Sequence, residues 1–144
     1  MLDGAAKIDD LAKEVARHGD GAIAMTDHGN VFGAFDFYKT MKSEGVKPII
    51  GIEAYLAPES RLEKRRVKWA DGGDDDVSGG GAYTHMTILA ENNTGLANLF
   101  RLSSLAWLEG FYYKPRMDRE ILAAHSSGLI ATTGCVGEIG RAHV

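Results

Sequence analysis

The sequence contains a single cysteine, Cys135, and no long apolar run. One thiol cannot form an internal disulfide, which excludes a disulfide-stapled secreted scaffold. No segment approaches the ~18 apolar residues that a membrane helix needs, and the start, Met1-Leu2-Asp3-Gly4, lacks the basic and apolar regions of a signal peptide. A net charge of −4 argues against binding nucleic acid through bulk positive charge, which leaves local or metal-assisted contacts. We therefore expect a cytoplasmic protein of one domain with no membrane partner.

Apolar residues alternate between helical and strand periodicity along the 144 residues. Helices are predicted from Asp9 to His18, from Asn30 with Phe32, Phe35 and Met41 on one stripe, from about Thr94 to Leu108, and from Met117 to Ala124. Strands are predicted at residues 22–26, 48–56, 86–90 and 128–133. This alternation with short connections favours an α/β class with a parallel sheet.

One segment interrupts the alternation. A basic run is followed by residues 71–81, which contain four aspartates and five glycines. The segment is interpreted as a solvated insertion whose oppositely charged halves attract each other, or as a basic arm that reaches a phosphate backbone. The members of the basic run are Arg61, Lys64, Arg65, Arg66 and Lys68.

Residues suited to metal chemistry lie at the ends of predicted strands. His28, Glu53 and Cys135 follow or end strands, at the edge where parallel α/β folds place their sites, whereas His85 lies at the start of its strand and fits less well. Imidazole, carboxylate and thiolate are ligands for zinc or a similar transition metal. The alternatives are structural: an Asp27 helix cap, an ion pair between Glu53 and the basic run, a buried histidine, and an inert buried cysteine.

Several blocks of this sequence resemble, in order, the PHP (polymerase and histidinol phosphatase) domain family, in the form found at the N-terminus of bacterial replicative DNA polymerases. The resemblance covers nearly the whole chain, and a composition rich in Ala, Gly, Asp and Arg is similar to that of actinobacterial versions. The blocks are residues 1–7 (MLDGAAK), 25–30 (MTDHGN), 48–55 (PIIGIEAY), 81–87 (GAYTHMT) and 132–135 (TTGC), together with Ser103-Ser104 and Arg116-Met117-Asp118.

This resemblance implies a distorted (β/α)7, TIM-like barrel with a trinuclear metal site at one mouth. The metals are expected to be divalent, zinc with manganese or iron as alternatives, and the polymerase itself is expected to use magnesium. Arg116 is a candidate phosphate contact; the alternative is a surface arginine that pairs with Asp118 or Glu120. By motif, the metal ligands are Asp3, His28, Glu53, His85 and Cys135.

The implied activity is a metal-dependent 3′–5′ exonuclease within a template-directed DNA polymerase, with DNA, a sliding clamp and a proofreading subunit as partners. The alternatives are a non-catalytic scaffold that docks the proofreading subunit, and a stand-alone phosphatase of the histidinol-phosphatase type. The family's first His-x-His and final Asp-x-His motifs are absent, so residues 1–137 are expected to be a PHP domain truncated at both ends and inactive alone. Residues 138–144 match the translation of a sequencing adapter and are expected to be a non-native tail.

Overall fold

The computed structural model describes residues 6–67 and 80–132. The predicted Asp3 and Cys135 ligands and the 138–144 tail lie outside these ranges, as do residues 68–79. No helix within the described ranges is both long and apolar enough to cross a bilayer. The helices are α1 (Ile8–His18), α2 (Ala34–Ser43), α3 (Asn93–Leu108) and α4 (Arg119–Ala124), and the strands are β1 (Ala22–His28), β2 (Lys47–Leu56), β3 (Thr84–Ala90), β4 (Arg116–Met117) and β5 (Leu129–Thr132).

The five strands form one mixed sheet in the order β1-β2-β3-β5. β1 pairs with residues 47–53 of β2, and the short β4 pairs with the last two residues of β2, Tyr55 and Leu56. β1 and β4 run parallel to β2, whereas β3 runs antiparallel to both β2 and β5. The α/β class is confirmed, but the prediction of a parallel sheet is wrong for β3. A parallel return needs a crossover, usually a helix, and the described residues between β2 and β3 contain no helix.

One face of the sheet carries the apolar core. Ile50, Ile52 and Ala54 alternate along β2 and are buried together with Ile88 of β3, against residues from all four helices. Because successive side chains of a strand point to opposite faces, Glu53 and Tyr55 lie on the other face. The helices therefore hold the sheet from one side, and Glu53 faces away from them.

The boundaries of α2 and α4 differ from the sequence prediction. The helix expected from Asn30 begins at Ala34, so it buries Ala34, Phe37 and Met41 and leaves Phe32 and Phe35 80% and 69% exposed. The helix expected from Met117 begins only at Arg119, because Arg116 and Met117 pair with β2. Asp118 then caps α4 by accepting a hydrogen bond from the Ile121 N–H.

Candidate metal centre

Three of the five predicted ligands meet at one edge of the sheet. β1 ends at His28, whose partner across the parallel pair is Glu53 of β2. β3 runs in the opposite direction, so its second residue, His85, returns to the same edge opposite Tyr55. A position at the start of a strand fitted a parallel sheet poorly. Because β3 is antiparallel to β2, that position places His85 beside the ends of β1 and β2.

The Glu53 carboxylate lies between two imidazoles. Its Oε1 atom is 2.7 Å from Nδ1 of His85, and its Oε2 atom is 3.2 Å from Nδ1 of His28. The side chains of His28, Glu53 and His85 are 39%, 25% and 19% exposed. The alternative in which Glu53 pairs with the basic run is therefore not what the structure shows, since its partners are histidines and the group is open to solvent.

Aromatic rings surround the two histidines. The buried Tyr55 ring lies 6.3 Å from the His28 ring at 16° and 5.1 Å from the His85 ring at 77°, measured between centroids and ring planes. Tyr83 stacks on His85 at 5.6 Å and 7°. Neither tyrosine was a predicted site residue. Tyr55 lies two residues after Glu53 on β2 and shares its strand face, and Tyr83 lies just before β3, two residues before His85.

Gly29 makes a close approach beside this group. Its φ is 67°, and a Cβ there would lie 2.7 Å from Pro115 Cγ and 2.8 Å from Tyr55 Cε2. Its N–H donates to the Glu53 carbonyl at 2.9 Å. A side chain at this position would push Tyr55 away from the histidines, so glycine is required both for the backbone conformation and for the space.

The donor chemistry of the three residues fits a divalent metal. Imidazole nitrogen and carboxylate oxygen are common zinc ligands, and metal-bound histidines usually donate their other ring N–H to a carboxylate or carbonyl. Within residues 6–67 and 80–132, however, no three His, Cys, Asp or Glu side chains are already spaced to hold an ion. The structure brings His28, Glu53 and His85 together, and their role as metal ligands stays a prediction, as it does for Asp3 and Cys135.

Arg116 occupies a different place from the one expected. Its guanidinium is fully buried and donates to four backbone carbonyls, those of Gly110, Ala82, Arg61 and Glu63. Burial lowers its pKa below the usual arginine value. We correct the prediction of a phosphate contact on this ground, because a phosphate would have to displace those carbonyls. It is not a surface arginine paired with Asp118 or Glu120 either.

Arg61 is the residue that makes those ion pairs. Its guanidinium contacts Glu109 at 2.7 Å, Asp118 at 3.0 Å and Glu120 at 2.9 Å, and we name these four residues the arginine hub. Burial acts to lower the pKa of Arg61, but the hydrogen bonds to the carboxylates outweigh it and raise that pKa above the usual value. The sequence prediction for Arg61 was a solvated insertion or a basic arm that binds a phosphate backbone. It did not include these ion pairs with Glu109, Asp118 and Glu120.

Other described members of the basic run are also held in place. Lys64 donates to the carbonyls of Glu109 and Phe111, Arg65 pairs with Glu59 and Glu63, and Arg66 lies over a tyrosine ring. Their contacts are to their own segment and to the residues that follow α3, and all three residues remain exposed to solvent. The interpretation of a solvated run therefore agrees with these three residues and is wrong for the buried Arg61. Lys68 lies outside the described residues.

Comparison with known proteins identifies a matching family model and several similar proteins. The family model described as PHP domain matches residues 1–144. The DNA polymerase III subunit alpha of Saccharopolyspora erythraea is 58% identical over 94% of this chain and 12% of its own length, and that of Mycobacterium tuberculosis strain H37Rv is 57% identical over the same shares. The subunit of Thermus aquaticus is 56% identical over 95% of the chain and 11% of its length. The chain thus spans about an eighth of these curated relatives.

Proposed function

The chain belongs to the PHP domain family, and from that premise we propose that it is part of the N-terminal domain of a DNA polymerase III alpha subunit and contributes a metal-dependent 3′–5′ exonuclease site. The relatives that share 56–58% of its residues bear the name of that subunit. The names of these relatives favour a polymerase subunit over a stand-alone phosphatase.

The Glu53 carboxylate held between His28 and His85 supports the site proposal most directly. A purely structural carboxylate in a strand is expected to pair with arginine or lysine, because a cation neutralises its charge permanently. Among the described residues, the ion-pair partners of Glu53 are two imidazoles. The three side chains lie at a partly exposed edge and offer nitrogen and oxygen donors that a divalent cation can reach.

We propose that His28, Glu53 and His85, with Asp3 and Cys135, hold the divalent ions, with zinc as the first candidate and manganese or iron as alternatives. Such ions neutralise a phosphodiester, lower the pKa of bound water and stabilise the leaving 3′ oxygen. The Glu53 carboxylate has about four lone-pair directions, so it can accept from the imidazoles and still ligate. Tyr55 and Tyr83 pack against the imidazole rings and fix their orientation.

For the whole protein we propose template-directed, magnesium-dependent DNA synthesis in the cytoplasm, with DNA, a sliding clamp and a proofreading subunit as partners. This rests on the name of the relatives, since the chain spans 12% of their length. The second candidate is a non-catalytic scaffold that docks the proofreading subunit. The experiment below favours that candidate if cleavage does not depend on Glu53.

The test replaces Glu53 by Gln in the full-length protein. We expect hydrolysis of a 3′-labelled oligonucleotide to fall by about 100-fold or more, since an orienting or ligating carboxylate is worth at least 10–100-fold in metal affinity or activity, and bound metal to fall with it. The matched control is Glu91→Gln, at an exposed turn after β3. Cleavage at the wild-type rate in Glu53→Gln would contradict the proposal and favour the scaffold.

A further inference from the structure

A second feature lies beside the His28–Glu53–His85 cluster. Phe32, Trp107 and Phe111, which we name the aromatic ladder, are 80%, 42% and 48% exposed. The ring centroids of Phe32 and Trp107 are 6.3 Å apart at 34°, and those of Trp107 and Phe111 are 5.5 Å apart at 25°. Three large rings therefore follow one another, one pair tilted and one pair stacked, while each presents surface to solvent, which is unusual for rings that only fill a core.

Hydrogen bonds hold the ladder to the cluster. The indole N–H of Trp107 donates to the carbonyl of Gly29 at 2.9 Å, directly after His28 in the chain. The Asn30 side chain donates to the His28 carbonyl at 2.9 Å and accepts from the Phe32 N–H at 3.0 Å. The turn that follows β1 thus holds the Trp107 side chain and the Phe32 backbone relative to His28, so the ladder is attached to the cluster through Trp107.

Basic side chains lie along the loop that continues from Phe111 to Lys114 and near the Tyr55 ring. Lys64 Nζ donates to the Phe111 carbonyl at 2.7 Å. Arg66 lies 5.1 Å over the Tyr113 ring, and Lys114 Nζ lies 5.4 Å from the centroid of Tyr55. Exposed rings bordered by lysine and arginine suit a chain that alternates flat bases with phosphates, because bases stack on the rings and phosphates meet the cations.

We propose that the aromatic ladder is a stacking platform for the bases of single-stranded DNA and leads the strand towards the His28–Glu53–His85 cluster. The inference rests on the proposed exonuclease function for the identity of the strand, and on the ladder geometry and neighbouring cations for the mode of binding. An apolar protein partner is the competing occupant. The basic side chains along the loop that continues from Phe111, the lysine over Tyr55, and the hydrogen bond from Trp107 to Gly29, the residue after His28, favour the nucleic acid.

The experiment measures binding of a dye-labelled oligo-dT of about six nucleotides, within the usual footprint of such sites, to the full-length protein by fluorescence anisotropy. Chelator is present, so neither metal nor cleavage is required. We expect Trp107→Ala to weaken binding by about five-fold to 100-fold, the range that loss of one stacked base produces. Phe111→Leu, which retains apolar volume but removes the π face, tests the same point without opening a gap.

An abasic oligonucleotide of the same length separates stacking from other effects. If the ladder stacks bases, wild type binds the abasic strand weakly and the two substitutions have no further effect on it. Tyr38→Ala, an exposed ring of α2 outside the ladder, is the matched control and should bind like wild type. The proposal is overturned if Trp107→Ala and Phe111→Leu bind oligo-dT like wild type, as a protein-docking surface predicts, or if they weaken abasic binding equally.

The outcome is independent of the proposed exonuclease. Glu53→Gln is expected to lose cleavage while binding oligo-dT within two-fold of wild type in chelator. If Trp107→Ala weakens oligo-dT binding but cleaves DNA at the wild-type rate, only the proposal that the ladder leads the strand to the cluster is contradicted. If the wild-type protein binds oligo-dT through the ladder but does not cleave DNA, only the proposed exonuclease function is contradicted.

Discussion

Two polar clusters of this molecule differ in how their charges are balanced. In the arginine hub, the Arg61 side chain is 11% exposed and that of Asp118 3%, and the cation meets three carboxylates at hydrogen-bonding distance. In the His28–Glu53–His85 cluster, the carboxylate is paired with two imidazoles among the described residues, and all three side chains are 19–39% exposed. The hub contains its own cation, whereas the cluster can receive one from solvent.

The difference separates residues that hold the fold from residues that are suited to chemistry. Removing one partner of a buried ion pair leaves an uncompensated charge and is costly. A partly exposed carboxylate loses little stabilisation when it is replaced, because water solvates what remains. We therefore expect substitutions in the buried arginine contacts to affect stability and substitutions in the cluster to affect activity.

The largest effect is expected for Arg116→Met. Methionine fills most of the volume but leaves the carbonyls of Gly110, Ala82, Arg61 and Glu63 without their donor. We expect the free energy of unfolding to fall by about 3–5 kcal/mol, comparable to breaking a buried polar network. Urea denaturation followed by circular dichroism measures it.

Arg119→Met is the matched control for that substitution, since Arg119 is the exposed first residue of α4. It should change the free energy of unfolding by less than about 0.5 kcal/mol. Equal losses in the two variants would show that the carbonyl contacts of Arg116 do not stabilise the fold.

A smaller effect is expected for Asp118→Asn. The amide oxygen can still accept from the Ile121 N–H and cap α4, but the charge that faces Arg61 is removed. Hydrogen bonds to charged groups contribute about 1.5–3 kcal/mol, so we expect a loss of that size at pH 7. A variant as stable as wild type at pH 7 would remove the distinction between the hub and the cluster.

The same residue predicts a pH dependence. Burial acts to raise the pKa of Asp118, but hydrogen bonds from the Arg61 and Ile121 N–H groups and from the Arg61 guanidinium bring it below its usual value. A carboxylate with a lowered pKa stabilises the fold above its unfolded pKa of about 3.9 and loses that contribution as the pH falls through the folded value. The stability difference between wild type and Asp118→Asn should therefore shrink below about pH 4, as denaturation at pH 3 and pH 7 would show.

Among the substitutions within the two clusters, the smallest stability effect is expected for Glu53→Gln. The amide keeps one acceptor oxygen for a histidine N–H, and the site is open to water, so the free energy of unfolding should change by less than about 1 kcal/mol. Thermal denaturation of the same preparations used for the cleavage assay measures it. A loss as large as that of Asp118→Asn would mean that the cluster, like the hub, holds the fold.

Much of the fold could be predicted because periodicity and capping are local signals. α1 ends at His18 as predicted, and its C-cap is Gly19, whose φ is 80°. The long β2 and α3 also lie close to their predicted ranges. The direction of β3 could not be predicted, since apolar alternation is the same for a strand that runs either way. That direction decides whether His85 lies beside His28 or at the far edge.

The roles of the arginines depended on contacts distant in sequence. Arg61 appears in a basic run, and nothing in that run indicates that Glu109, Asp118 and Glu120 converge on it from the end of α3 and the start of α4. Arg116 shares a short motif with Asp118, but only the pairing of β4 with β2 buries its guanidinium. The positions of His28 and Glu53 in the fold were easier to predict, because each lies near the end of a strand that the sequence pattern indicates.

The reversal of β3 has one further consequence. The chain leaves β2 at Leu56 and enters β3 at Thr84, and both positions lie at the edge that holds His28 and Glu53. The pairing of β2 with β3 fixes where the connection starts and where it ends. Additions to or deletions from that connection can therefore be accommodated while the two strands stay in register.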